Sequence, residues 1–69
     1  MSLKRIMMIF SALRDEGRDH NISIDDILAQ DKSGYLKRIP QDKLRPMISI
    51  AATKSGWGLS PRTHKYSKY

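Results

Sequence analysis

Pro46-Met-Ile-Ser-Ile-Ala-Ala-Thr-Lys-Ser-Gly56 can be read as a strand or as a helix, and the choice decides the fold. Met47-Ile-Ser-Ile-Ala partly alternates, as a strand over Met47–Thr53 would. As a helix, Met47, Ile48, Ala51 and Ala52 form one apolar side, and Gly56 supplies the stop. Two adjacent alanines and the closing Lys54-Ser55-Gly56 favour the helix, so the sequence predicts one from about Pro46 to Ser55. Pro46 sets its start, because proline lacks an N–H and pushes Arg45 away from helical dihedrals. Residues 35–45 therefore read as a loop or single turn, although Pro40 before Gln41 and Asp42 also suits a helix start.

Upstream, Ser23 is a good N-cap, with Asp26 at the third helical position completing a short capping box. Ile22 before the cap and Ile27 at the fourth position match a hydrophobic staple. Asp31-Lys-Ser-Gly34 is turn chemistry, so this helix is about two turns long. Further back, Leu3, Ile6, Met7, Phe10 and Leu13 recur at helical spacing, and Gly17 ends that helix. Ile9 lies on the shoulder of its apolar stripe. Met8 and Ala12 fall on the other side with Lys4, Ser11 and Asp15. Downstream of Gly56 the helical period is lost. Trp57–Tyr69 reads as an extended arm or half of a small hairpin, with Trp57 anchored on the core.

The expected architecture is mainly α: a small three-helix domain over 1–56 and an extended basic arm, or rudimentary wing, over 57–69. This order is similar to the layout of winged or plain helix-turn-helix domains. The likeness lies in element order and charge placement, and the Ile22–Gly56 stretch exceeds the usual two-helix unit.

Charge is divided unevenly along the chain. Residues 1–31 carry −2, and residues 32–69 carry +8, which together give the net +6. The second half has Asp42 as its single acid against nine Lys and Arg. Such asymmetry points to a polyanionic partner, DNA before RNA, met by the C-terminal half. Candidate contacts are Lys37, Arg38, Lys43 and Arg45 ahead of or at the third helix, and Ser49, Thr53 and Lys54 along it. Arg62, Lys65 and Lys68 of the arm complete the set, with hydroxyls and tyrosines between them suited to phosphates and unstacked bases. Six phosphate contacts would give a slope of log K against log salt near −5.

Other chemistries have less to stand on. The chain has no Cys, which excludes disulfides and thiolate metal sites, and its two His are 44 positions apart, so no metal or other cofactor is expected. Lys54, Arg62, His64 and Tyr66 are residue types that a metal-free ribonuclease could use, but nothing in their spacing fixes a common geometry. The expectation is a non-enzymatic DNA-binding regulator or accessory factor. The rival is a small inhibitor or assembly subunit that docks its basic half on an acidic protein. No stretch approaches the ~20 apolar residues of a membrane span, and Ile6–Phe10 is shorter than a signal peptide's apolar region, so a soluble cytoplasmic protein is expected. A chain this short buries only about 60% of its unfolded surface. Pairing with a second copy or another protein is its remaining route to extra stability.

Overall fold

The computed structural model describes residues 2–69. Its elements are α1 (Ser2–Asp15), α2 (Ile24–Gln30), a single 3-10 turn (Leu36–Arg38), α3 (Gln41–Lys54), and two short strands, β1 (Trp57–Leu59) and β2 (Tyr66–Lys68). The helices and the hairpin share one core, and no described helix is long and apolar enough to cross a membrane.

α1 buries Ile6, Phe10 and Leu13, with Leu3 and Met7 packed at the edge, as its spacing predicts. Ile9 joins them, so the apolar stripe is wide enough to meet both α3 and α2. The helix ends in a Schellman arrangement. Gly17 takes φ +77°, its N–H donates to the Arg14 carbonyl, and the Arg18 N–H donates to that of Leu13. α2 starts at the Ser23 cap, where both halves of the capping box form with Asp26. Ile22 and Ile27 are buried on either side of that cap, so the staple is present.

α3 starts five residues earlier than the sequence reading places it, and Pro46 lies inside it. The strand alternative over 47–53 does not form. Pro40 is the N-cap, and the Lys43 and Leu44 N–H groups both bond to its carbonyl. A proline at position 46 removes one bond, to the carbonyl of Asp42. Both residues are exposed, so water reaches that carbonyl. Continuing the helix through this point buries Leu44 on the same face as Ile48, Ala51 and Ala52. That burial is worth roughly 1.5–3 kcal/mol for a leucine, enough to offset a single exposed hydrogen bond.

Residues 57–69 form an antiparallel hairpin in place of the extended arm. Trp57 pairs with Lys68, Gly58 with Ser67, and Leu59 with Tyr66. Gly56, at φ +79°, makes the sharp turn from α3 into β1. Trp57 and Tyr66 point inward, where their rings lie 4.9 and 5.7 Å from that of Phe10. Trp57 and Tyr66 thus belong to the same core cluster as the helices. On its outer edge β2 bridges Ile22, so the segment between α1 and α2 contributes a third, one-residue rung to the sheet.

Candidate nucleic-acid interface

Four residues between β1 and β2, Pro61–His64, form the hairpin tip. Ser60 closes it: its N–H donates to the Lys65 carbonyl, and its carbonyl accepts from the His64 N–H at 2.8 Å. His64 is held at φ +56°, a left-handed conformation that fixes where its side chain leaves the loop. The tip folds back toward the start of α3. There Gln41 and Arg45, one turn apart on the same side of the helix, line a hollow of about 340 Å³ together with His64, Ser23 and Asp25. Arg62, exposed at the tip, is two residues from His64.

Ion pairing separates the two halves of the chain. Among the described residues, Arg5 reaches Asp31 at 3.8 Å, Arg14 reaches Asp15 at 3.4 Å, and Arg18 lies within 3.9 Å of both Glu16 and Asp26. Each of these arginines precedes residue 32. No described Lys or Arg from residue 32 onward has an Asp or Glu carboxylate within 4.0 Å, although Lys68 Nζ donates to the Tyr69 main-chain oxygen at 3.3 Å. Lys65 acts at longer range. The Ser23 N–H bond is the main cause that holds the Asp26 carboxyl below its ordinary range, and Ser23 Oγ, Arg18 and Lys65 reinforce it.

The candidate residues divide by position. Arg45 and Lys54 lie nine residues apart on α3, about 180° around a helix that turns about 100° per residue. Lys43 falls about 20° from Lys54 by the same rule. Consistent with that, Lys54 borders α1 near Met7, whereas Arg45 borders the hairpin tip. Lys68 sits at the base of the hairpin, its ammonium 3.1 Å from where a Cβ on Gly56 would lie, near the negative end of α3. Lys37 and Arg38 are exposed on the 3-10 turn. The hydroxyls are engaged internally: Ser49 Oγ meets the Tyr66 hydroxyl at 3.2 Å, and Thr53 Oγ1 donates to the Ser49 carbonyl at 3.1 Å.

Gln41 and His64 belong to the hollow but not to the contact set read from the sequence. A helix start at Pro46 leaves Gln41 in a loop; an i, i+4 pairing with Arg45 is the signal that would have found it. Among the described residues no three His, Cys, Asp or Glu side chains gather as a metal site requires. No family model, curated protein or solved structure matches this chain.

Proposed function

We propose that the chain is a DNA-binding domain built as a winged helix-turn-helix, with α3 as the recognition helix and the hairpin as its wing. The reading rests on element order: a helix, a bridging residue, two further helices, and a hairpin whose inner strand pairs with that bridge. An exposed helix flank fits the ~12 Å major groove, and a basic tip beside it reaches the neighbouring phosphates. Gln41 and Arg45 are the two side chains suited to reading base edges, glutamine through adenine N6/N7 and arginine through guanine O6/N7. Arg62 and Lys65 supply phosphate contacts that position the domain without reading sequence.

The observation that carries this reading is the meeting of Arg45 and His64 on one hollow, where Arg45 has no carboxylate within 4.0 Å among the described residues although Asp25 also lines the hollow. A lysine or arginine left unpaired on the surface releases condensed counterions when it meets a phosphate, and that release drives binding. The role is a transcriptional or accessory regulator rather than an enzyme.

Fluorescence anisotropy with labelled duplex DNA, titrated across salt, tests it. The two phosphate-contacting cations, Arg62 and Lys65, give a slope of log K on log salt of about −2, shallower than six would. No measurable affinity at ~50 mM salt would leave the protein-docking reading in its place. Preference for single-stranded RNA with quenching of tyrosine or tryptophan would move the target class.

A further inference from the structure

α1 carries a second surface that faces away from the core. Lys4, Met8, Ser11 and Asp15 follow at i, i+4, i+7 and i+11, which keeps them within about 40° of one line along the helix. All four are exposed, and Met8 is 63% exposed. Met8 stands as a ridge between two hollows. One, of about 430 Å³, opens toward the end of α2 beside Ala12 and Gln30. The other, of about 670 Å³, opens toward the end of α3 beside Ser11 and Lys54.

The order of residues along this stripe is complementary to itself. Lys4 stands at one end and Asp15 at the other, where Asp15 makes an exposed and therefore weak pair with its own Arg14 at 3.4 Å. The side chains between them are large in the first half and small in the second. We propose that a second copy of this chain docks here, α1 against α1, antiparallel about a twofold axis. Lys4 of each copy then faces Asp15 of the other, and Met8 faces Ser11. Lys4, which has no carboxylate within 4.0 Å among the described residues of its own chain, gains one, and Asp15 exchanges its exposed pairing with Arg14 for one across the axis. Met8 meets a small side chain, which lets the helix axes approach closely. An isologous contact of this kind repeats every interaction twice. The antiparallel arrangement also places each positive helix start beside a negative helix end.

The net charge of +6 opposes self-association at low salt, but at ~0.1 M the Debye length of about 10 Å screens that repulsion more than it screens adjacent pairs. The surface lies on the Lys54 side of α3, about half a turn around that helix from Arg45. Docking therefore leaves the Gln41–Arg45–His64 hollow open, and the proposal stands whether or not the chain binds DNA.

Sedimentation equilibrium over a concentration series at ~0.15 M salt is the test, because a single helix pair makes a small interface and a weak dimer. The unaltered chain is expected to dimerise reversibly. Lys4→Asp alone sets two carboxylates against each other at each end of the contact, and Asp15→Lys alone sets two ammonium groups there. Each should weaken the dimer by about tenfold or more, since like charges are doubly opposed across the axis. Both substitutions suit their helix ends, so neither should impair folding, which far-ultraviolet circular dichroism checks. Mixing the two variants lets a heterodimer form in which a carboxylate faces an ammonium group at both ends, so the mixture should associate where neither variant does alone. The double variant carrying both Lys4→Asp and Asp15→Lys restores opposite charges at both ends and should recover the dimer. Met8→Asp should abolish association while the domain stays folded. A chain monomeric throughout the series overturns the proposal, as does a dimer that neither reversal weakens or a double variant that stays monomeric.

Discussion

Ile22 and Tyr66 exchange both backbone hydrogen bonds, at 2.8 and 2.7 Å, across a sequence separation of 44 residues. This exchange ties the hairpin to the segment between α1 and α2. Two further bonds extend it: the Lys68 N–H donates to the Asp19 carbonyl, and the Asn21 N–H donates to Ser67 Oγ. The tip is therefore held against the body at its inner strand, and the position of His64 beside Arg45 follows from that attachment.

Tyr66 bears the side-chain half of the same junction. Its ring is buried against Phe10, and its hydroxyl meets Ser49 Oγ. Tyr66→Phe keeps the ring and should cost about 0.5–1.5 kcal/mol, the net worth of one hydrogen bond. Tyr66→Ala should cost about 3–5 kcal/mol, a large share of what so small a domain has. Urea denaturation distinguishes the two. Equal losses from both variants would mean that the ring contributes little to the core.

Asp31 is the one buried charged side chain among the described residues, and it ties α1, α2 and the 3-10 turn together. Burial pushes its carboxyl up, but the Leu36 N–H at 2.8 Å, Ser33 Oγ at 2.7 Å and the nearby Arg5 outweigh that and hold it below the ordinary range. The folded state therefore binds this proton less readily than the unfolded chain. Its stabilisation is complete above about pH 4, where the unfolded carboxylate is ionised, and is lost as pH falls through the folded value. Asp26, held low chiefly by the Ser23 N–H, has the same sign. Asp31→Ala should cost about 1–3 kcal/mol at neutral pH by orphaning the buried Leu36 N–H, and the variant should lose less stability on acidification. A variant with the acid sensitivity of the unaltered chain would assign that sensitivity to other carboxylates.

The opposite placement of Arg45 and Lys54 on α3 makes a clean contrast for binding. Arg62→Ala should reduce the salt slope by about 1, whereas Lys54→Ala should leave it unchanged. Arg45→Ala should instead relax preference among duplexes by about 1–3 kcal/mol at one position, which Arg62→Ala should not. Gln41→Ala belongs with Arg45 in this comparison. Equal effects of Arg45→Ala and Lys54→Ala would show that the domain does not present the hairpin side of α3 to DNA.

Signals confined to one or two turns were legible in the sequence. The α1 stripe, the Ser23–Asp26 box, the Ile22–Ile27 staple and the stops at Gly17 and Gly56 each act through neighbours, so the pattern alone identifies them. What escaped was non-local. Strands of three residues are too short to display alternation, and β2 is defined by pairing with β1 and with Ile22. The candidate interface suffered the same way. Its charge asymmetry is plain in the composition, but which cations meet depends on the phase of a helix starting at Gln41 and on the folding back of the tip.

Pro46 concentrates that lesson in one testable residue. The local cost of a proline at the sixth helical position argues for a helix start there, and it is overridden because Leu44 can be buried only if the helix already runs through it. The cost persists in the folded protein as the missing bond to the Asp42 carbonyl. Pro46→Ala restores the N–H and removes the clash of the ring with the preceding turn, gains of up to about 3 kcal/mol in a helix interior. Against this, the unfolded chain gains freedom worth about 0.4–1 kcal/mol. Water already serves the exposed carbonyl, which reduces the gain further, so a net stabilisation of about 1–2 kcal/mol is expected. The urea midpoint should rise with the slope unchanged, since the surface exposed on unfolding is the same. A lower midpoint would show that α3 begins at Pro46 in solution, and Gln41 and Arg45 would then no longer share a helical side.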